Sequence, residues 1–232
     1  MDARFYPGYQ PEWDNAEGRK ILLSLLQRDH VALDVGAGGG VRKWTDLRGH
    51  AARVVGIDMD PRVLENPYLD EARVARADSI PYPDTTFDVA WAWNVVEHLE
   101  DPTTVFREVA RVLKPGGVFL IKTPNLWHYV TTLSRALPHS LHERLVFRAM
   151  RRQTKDIFPT HYRCNTERRI RSLARDTGLR VRVIYHLEPR PEYLRFSPLT
   201  YPFGIAYERA VNASGALEKF RVILIALLER PV

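Results

Sequence analysis

The 232-residue chain lacks the features of a secreted or membrane-spanning protein. It has one cysteine, Cys164, which cannot form an internal disulfide and fits a reducing compartment. Its longest apolar run, residues 222–228, is far shorter than the roughly 20 residues that a spanning helix needs. No apolar stretch follows a basic one at the start of the chain, so no signal peptide is predicted. These absences predict a cytoplasmic protein.

Internal repeats and low-complexity tracts are also absent. Hydrophobic residues make up 45% and charged residues 27% of the chain, which is typical of a globular protein and excludes disorder and coiled coil. We predict a single domain over residues 1–232.

The net charge of +6 is unevenly distributed along the chain. Residues 144–182 contain 12 lysines and arginines against three acidic residues, so the remainder is slightly acidic. Such a segment is typical of solvated, arginine-rich helices. Binding of phosphates, for example those of RNA, is the alternative.

Apolar spacing predicts strands that alternate with helices. Short, β-branched runs predict five strands in the first half, at residues 31–35, 52–57, 73–75, 87–93 and 118–122. Helices are predicted at residues 15–28, with Asp14 or Asn15 as N-cap, and 102–113. In the second half we predict helices at 126–150, 166–177 and 205–212 and a strand at 179–186. Residues 221–228 form either a helix or a final strand, and their β-branched start favours the strand. This order predicts an α/β fold with a mostly parallel sheet covered on both faces.

A glycine-rich loop, residues 36–40, follows the first predicted strand. Glycines permit a tight turn and close approach of a ligand, and a helix after the loop would offer free N–H groups. A dinucleotide fingerprint starting at Gly36 would require glycine where the chain has Val41, so that fingerprint is not met. The loop has instead Gly-x-Gly-x-Gly spacing, with Asp34 two residues before it.

Two further aspartates follow successive predicted strands. Asp58 closes the second strand, where a carboxylate can accept hydrogen bonds from both hydroxyls of a ribose. Asp78 follows the third strand and is placed to meet the far edge of an adenine. The loop and these acids predict a nucleotide-like cofactor site, and the alternative is a turn with incidental capping aspartates.

Four segments together resemble a class I S-adenosylmethionine-dependent methyltransferase, closest to the small-molecule group that includes quinone-biosynthesis enzymes. They are DVGAGGG, GIDMDP, RADSIPYPDTTFDVAWAWNVVEHLEDP and REVARVLKPGGVFLIKTPN. The resemblance covers about residues 30–125 and resumes loosely over 160–179. It implies a Rossmann-like, seven-stranded sheet whose last strand is antiparallel and inserted beside the fifth. Residues 126–220 then form an enlarged basic and aromatic region on the substrate side.

The resemblance implies S-adenosyl-L-methionine as cofactor. The residues that it places at the cofactor are Asp34, Gly36, Ala37, Gly38, Gly40, Asp58, Met59, Asp78, Ser79 and Asn94. By position, the glycine loop packs on the methionine part, Asp58 takes the ribose hydroxyls, and Asp78 accepts from the adenine amine. Asn94 lies near the transferred methyl.

Methyl transfer from a sulfonium depends mostly on proximity and alignment, and a base is needed only when the acceptor arrives protonated. His98, just beyond the fourth predicted strand, is the first candidate for a base or a substrate contact, and His161 is the second. Packing or capping is the alternative for His98. Candidate substrate-lining residues are Tyr9, Trp127, Tyr162 and Arg163.

No metal site is predicted, because His139, His142 and Glu143 lack a metalloprotease-type spacing. The aromatic stretch 189–207 is expected to pack in the core. A lid, a dimer contact or attachment to an anionic membrane surface is the alternative for that stretch.

We therefore predict an enzyme that moves a methyl group to a small-molecule acceptor, at oxygen rather than nitrogen or carbon. The basic surplus on the substrate side favours an anionic or membrane-associated acceptor. Two alternatives stay open: an RNA methyltransferase that uses residues 144–182, and a non-catalytic cofactor-binding protein. A cytoplasmic location is expected, with peripheral membrane attachment and a homodimer both compatible with the sequence.

Overall fold

The computed structural model describes residues 2–7, 13–40, 45–136, 159–191, 193–195 and 197–232. In these ranges the chain forms one seven-stranded sheet. Its strands are β1 (Val31–Val35), β2 (Arg53–Asp58), β3 (Glu71–Val74), β4 (Phe87–Trp93), β5 (Leu113–Pro124), β6 (Arg180–Leu187) and β7 (Ile223–Glu229). The α-helices are α1 (Asp2–Phe5), α2 (Trp13–Leu25), α3 (Pro102–Val112), α4 (Tyr129–Ala136), α5 (Glu167–Asp176) and α6 (Tyr201–Ala213).

The strand order is β3-β2-β1-β4-β5-β7-β6. Strand β1 pairs in parallel with β2 on one side and β4 on the other, so Leu33 lies opposite both Val55 and Ala90. Strand β7 runs antiparallel to both of its neighbours, β5 and β6. The predicted seven-stranded methyltransferase sheet is confirmed. Strands β1, β2, β4 and β5 end at one edge, called here the carboxyl edge.

Alternating residues of the central strands bury two separate apolar clusters, one on each face of the sheet. On one face Leu33, Val55 and Ala90 join residues of α3 and α5 such as Phe106 and Ile170. On the other face the intervening residues of the strands join Leu22 of α2 and its neighbours. This burial on both faces explains why the strands read as continuous apolar runs.

Helix α2 differs from its prediction in both bounds and capping. It runs Trp13–Leu25 rather than 15–28, so Asn15 lies inside the helix and is not its cap. The Asn15 side-chain oxygen instead accepts hydrogen bonds from Lys122 Nζ (2.7 Å) and Trp93 Nε1 (3.2 Å). The Asn15 amide oxygen gives the buried Lys122 ammonium a hydrogen-bond partner. This interaction determines the position of Asn15 more strongly than the preference of asparagine for the N-cap does.

Strand β5 is longer than predicted and begins before the turn-like residues 114–117. It runs Leu113–Pro124, and a register shift against β4 between Phe87 and Val89 accommodates the glycines. Gly116 has φ of +80°, a conformation that glycine adopts without strain. The residues between the predicted helix 102–113 and the predicted strand 118–122 therefore lie within the strand, as an irregularity in its pairing.

The bounds of β2, β3, β6 and β7 differ from the prediction by one or two residues, and the other differences concern helices. No α-helix occurs in described residues 45–52, and residues 41–44, where a helix could begin after the glycine loop, lie outside the description. Of the helix predicted at 126–150, Tyr129–Ala136 is described, and residues 137–150 lie outside. Helix α6 extends beyond the predicted 205–212 at both ends. Within the described ranges, no helix is long and apolar enough to cross a bilayer.

Candidate functional site

The glycine loop folds back onto the end of β2. The backbone N–H groups of Gly36 and Ala37 both donate to the Ile57 carbonyl, at 2.8 and 3.1 Å. Gly36, Gly38 and Gly40 have φ of +79°, +56° and +68°, in the left-handed region that disfavours side chains. The predicted tight turn at the carboxyl edge is therefore present.

Asn66 holds the loop from the other side and was not foreseen. Its side-chain nitrogen donates to the carbonyls of Ala37 (3.2 Å) and Gly38 (3.0 Å), while its oxygen accepts from the Tyr68 N–H. A Cβ on Gly40 would lie 2.3 Å from the Asn66 side-chain oxygen. The Asn66-Pro67 dipeptide marks a turn in the sequence, but nothing local connects that turn to the loop.

Asp58 stands at the end of β2, as predicted. Its two carboxylate oxygens accept the N–H groups of Gly38 (2.9 Å) and Asp60 (2.8 Å). A carboxylate has about four acceptor positions, so these two bonds leave capacity for hydroxyl donors of a ligand. Asp58 thus both shapes the loop and can receive a ribose.

Asp34 is buried at the end of β1, on the strand next to Asp58. Burial, and repulsion from the Asp58 carboxylate, raise the pKa of Asp34 to about 8, although Trp91 hydrogen-bonds the side chain and opposes the shift. Desolvation and a like charge both disfavour the ionised form. A cationic ligand beside this pair would relieve both effects.

The predicted adenine contacts Met59, Asp78 and Ser79 share a neighbour, Arg76. The Asp78 carboxylate accepts from Arg76 Nη2 (2.6 Å) and Nε (2.9 Å), and this guanidinium holds the pKa of Asp78 below its usual range. Arg76 Nη1 also lies 3.8 Å from the Met59 sulfur, and the Ser79 N–H donates to the Arg76 carbonyl. Strand β3 ends at Val74, so Asp78 lies on a loop beyond it.

The turn after β4 packs against the glycine loop. Asn94 has φ of +53°, uncommon for a side chain larger than glycine, and its N–H donates to the Lys122 carbonyl. The next residue, Val95, lies so near Gly36 that a Cβ there would approach Val95 Cγ2 to 2.4 Å. The ends of β1 and β4, where the resemblance places the methionine part of the cofactor, are therefore in contact.

His98 lies on the 3₁₀ turn Val96–His98, directly after this contact. Its Nδ1 is 2.9 Å from the Pro159 carbonyl oxygen. A carbonyl only accepts, so this bond assigns the proton to Nδ1 and makes Nε2 the basic nitrogen of the neutral ring. A histidine oriented in this way can act as a base.

Residues 159–165 dock along the same turn. The N–H groups of His161 and Tyr162 donate to the Glu97 carbonyl at 2.8 and 3.1 Å. Arg163 donates to the Glu100 carbonyl, and His161 Nε2 lies 3.8 Å from Glu100 Oε1. The structure therefore brings together four residues predicted from separate segments, namely His98, His161, Tyr162 and Arg163.

Glu97 fastens this arrangement to the sheet. It is buried, burial raises its pKa, and its carboxylate accepts from the Thr123 hydroxyl at 3.0 Å. Asn165 donates in turn to the Thr123 oxygen at 2.6 Å. These contacts give Glu97 a structural role, because they fix the turn that carries His98.

Trp127 and Tyr9 are the other two candidates for substrate-lining residues. Trp127 lies exposed two residues after Asn125, whose side chain accepts its N–H. Tyr9 lies outside the described residues, as do His139, His142 and Glu143. In the described part of the chain, no cluster of three His, Cys, Asp or Glu residues could hold a metal ion.

A buried polar cluster next to the carboxyl ends of β5 and β6 was missed. His128 Nε2 lies 3.4 Å from Glu188 Oε2, and both side chains are buried. Burial lowers the pKa of His128 to about 3; burial, aided by Glu208, raises that of Glu188 to about 8. The rings of Tyr129 and Tyr207 pack on His128 at 4.2 and 5.6 Å. No local pattern joins these distant positions.

Comparisons with known sequences identify relatives of this chain. Residues 33–121 match the model of a family described as a methyltransferase domain. A Mycolicibacterium smegmatis protein named "Probable S-adenosylmethionine-dependent methyltransferase" is 37% identical over 114 residues, covering 46% of this chain and 42% of that protein. A ubiquinone biosynthesis O-methyltransferase from Xanthomonas oryzae is 34% identical over 134 residues, covering 49% and 56%. The chain spans about half the length of the curated relatives it matches.

The sheet is also found in solved structures. A Haemonchus contortus phosphoethanolamine N-methyltransferase, in complex with phosphomonomethylethanolamine and S-adenosylhomocysteine, superposes with a TM-score of 0.61 at 18% identity. The match covers 94% of this chain and 53% of that one, and it shows the fold alone. With the family match, the chain carries a class I S-adenosylmethionine-dependent methyltransferase domain. S-adenosylmethionine is the cofactor of this domain.

The contact between Gly36 and Val95 predicts different costs for two glycine substitutions. Gly36→Ala adds a clash with Val95 to the strain of a positive φ, whereas a Cβ on Gly38 meets nothing within 4 Å. We expect Gly38→Ala to lower the free energy of unfolding by about 1–2 kcal/mol, and Gly36→Ala to cost about 1–3 kcal/mol more. Urea denaturation measures both. Equal losses would contradict the contact, and Val95→Ala should partly rescue Gly36→Ala.

The raised pKa of Asp34 predicts how stability varies with pH. Between about pH 4 and 8 the folded state keeps a proton that the unfolded chain releases, so the free energy of unfolding falls as pH rises through this window. Asp34→Asn removes this term. The variant should gain stability relative to the wild type, on the order of a few kcal/mol by pH 8.

Urea denaturation at pH 5, 6.5 and 8 tests this expectation. Glu188 has a shift of the same sign, so some decline remains in the variant. Replacement of an exposed aspartate, Asp29→Asn, controls for the loss of one charge. Parallel pH profiles for Asp34→Asn and the wild type would show that Asp34 is ionised when folded.

Proposed function

We propose that the protein transfers a methyl group from S-adenosylmethionine to a hydroxyl oxygen of a small molecule. The observation that carries this proposal is the pair of acids at adjacent strand ends, Asp34 and Asp58, around a glycine loop with three positive φ values. At Gly38 the loop leaves room that a side chain would occupy, and the acids suit a ligand that carries both hydroxyl donors and positive charge.

The residues present fit the cofactor. Asp58 would bind the ribose hydroxyls with the acceptor capacity that its two backbone bonds leave. Asp34 would face the positively charged methionine part, which favours its ionised form. When bound, the cofactor supplies an activated methyl group. The turn Asn94–His98 would lie beside that end of the site, since Val95 contacts Gly36.

His98 is proposed as the base that takes the acceptor's proton. The Pro159 carbonyl assigns the ring's proton to Nδ1, so Nε2 is the nitrogen that can receive another. Buried Glu97 and the docked segment 159–165 fix the backbone of this turn. His161, Tyr162 and Arg163 are proposed as substrate contacts from that segment.

The relatives support oxygen as the methylated atom. The Xanthomonas oryzae relative is named for O-methylation, and a relative from Amycolatopsis mediterranei is a 27-O-demethylrifamycin SV methyltransferase. Both names concern small molecules, and the identities are modest. A hydroxyl acceptor also explains why an oriented histidine would be useful, because a hydroxyl must lose its proton as it is methylated.

The described part of the basic segment supports a small-molecule acceptor more than RNA. Arg180 and Arg182 both bind Glu229, at 2.6 and 2.7 Å. Arg171 pairs with Glu167, and Arg175 with Asp176. Arginines engaged in this way stabilise the fold and offer less charge to phosphates. An acceptor that is anionic, or presented on an anionic membrane surface, remains part of the proposal, as does a cytoplasmic location.

Asp58→Ala tests the cofactor assignment. Loss of a charged hydrogen-bond acceptor costs about 1.5–3 kcal/mol, so affinity for S-adenosylmethionine should fall roughly 10- to 150-fold. Isothermal titration calorimetry measures this change. The control is Asp60→Ala, two residues further along, whose side chain binds Arg62 instead. Unchanged affinity in Asp58→Ala would refute the assignment.

His98→Gln tests the proposed base. Glutamine can donate to the Pro159 carbonyl but cannot act as a base at neutral pH, so turnover should fall about 100-fold or more while cofactor affinity stays within about twofold. The assay measures S-adenosylhomocysteine formed with catechol as a phenolic probe. An exposed histidine, His50→Gln, is the control. Equal turnover in all three proteins would remove His98 from the chemistry, and no turnover in the wild type would favour the non-catalytic alternative.

A further inference from the structure

Helix α6 covers the acceptor side of the carboxyl edge with one of its faces. Its residues Tyr201, Gly204, Glu208 and Val211 are buried. Tyr207 lies between them. Its ring packs against that of Tyr129, the first residue of α4, at 4.8 Å, and its hydroxyl donates to the Phe220 carbonyl. Glu208 accepts from Tyr6 at 2.9 Å and from Asn212 at 2.7 Å. These contacts fix which face of α6 points outward.

The outward face of α6 carries an apolar stripe. Leu199, Phe203, Ala206, Ala210 and Ala213 recur at intervals of four and three residues, and all five are exposed. Leu199 joins the stripe because the N–H of Tyr201 already donates to the Ser197 carbonyl in a helical turn. Leu199 is 81% and Phe203 74% exposed, the two largest exposures among the large apolar residues inside the described chain, its final residue aside. These five residues are called here the α6 outer face.

Exposed arginines accompany the α6 outer face in the sequence, with Arg195 before the helix and Arg209 within it. The acid described in residues 193–195 and 197–213 is Glu208, which is buried and pairs with Arg209 at 3.4 Å, while the Arg209 side chain stays 63% exposed. Apolar side chains beside exposed arginines match the headgroup region of an anionic bilayer. A second copy of the chain would bring arginines against arginines, which disfavours self-association.

We propose that the α6 outer face docks onto an anionic lipid surface. Leu199 and Phe203 would enter the interface, and Arg195 and Arg209 would meet the acidic headgroups. The opposite face of the helix covers the cluster around Tyr129 and Tyr207, next to the ends of β5 and β6. If the proposed methyl transfer holds, docking would place the acceptor side of the domain at the membrane, where an amphipathic hydroxyl compound is available.

Vesicle binding tests this proposal without substrate or cofactor, so it is independent of the proposed chemistry. The full chain is sedimented with phosphatidylcholine vesicles and with vesicles containing one quarter phosphatidylglycerol, at low and high salt. We expect binding to the anionic vesicles that weakens as salt rises. Leu199→Ser with Phe203→Ser should weaken it about tenfold or more.

Two controls separate the docking surface from general effects. Leu64 is also exposed, on the turn after β2, so Leu64→Ser should bind vesicles like the wild type. Calorimetry with S-adenosylmethionine should give equal affinities in the wild type and the double variant, which shows that the variant is folded. Cofactor binding can fail while vesicle binding succeeds, and the reverse, so the two proposals are judged separately.

Three outcomes would overturn the proposal. The first is a wild-type protein that stays in solution with anionic vesicles. The second is an equal loss of binding in Leu64→Ser and in the double variant. The third is a concentration-dependent dimer that the double variant abolishes, without vesicle binding, because this result would assign the face to a second copy of the chain.

Discussion

Hydrogen bonds between the loop after β1 and the end of β2 set the geometry of the whole site. Gly36 and Ala37 donate to Ile57, and Gly38 donates to Asp58. These bonds require β1 and β2 to be parallel and in register, with Val35 opposite Ile57. Pairing of β1 with β4 then brings Val95 against the same loop. The sheet order, more than any single element, therefore positions the cofactor residues and the proposed base.

Much of this core was predictable because its signals are local. Apolar runs between glycine and acidic residues indicated the strands, and Asp34 and Asp58 at strand ends pointed to one shared edge. Contacts between distant segments were not predictable. Asn66 supports the loop and Pro159 orients His98, yet neither leaves a periodic pattern in the chain. The hydrogen bond between Lys122 and Asn15 likewise depends on the packing of α2 against the sheet, so neither segment alone predicts it.

Several ionisable groups are buried along the carboxyl edge, and each has a different kind of partner. Lys122 is satisfied by a neutral amide, and Glu97 by a hydroxyl. Asp34 has a raised pKa beside a second acid, and Glu188 has one beside a buried histidine. Burial of an ionisable group costs desolvation free energy. This cost is tolerated where the group fixes a turn or where a bound ligand would supply the complementary charge. Asp34 differs from Glu97 in this respect, because the charge that would complement it belongs to the cofactor.

The net charge of the chain is a poor guide to its binding surfaces, because many of its charges are paired within the fold. Arg171, Arg175, Arg180 and Arg182 lie in the most basic segment, yet each is paired with an acid of the fold. Near α6, Arg209 likewise pairs with the buried Glu208, but the exposed side chains of Leu199 and Phe203 on the α6 outer face are apolar. What a surface offers to an anion depends on the charge left after internal pairing, and on the apolar area beside it. In the described part of the arginine-rich segment, residues 159–182, no large apolar side chain is exposed, so the exposed Leu199 and Phe203 make α6 the better match for a bilayer that takes up apolar side chains.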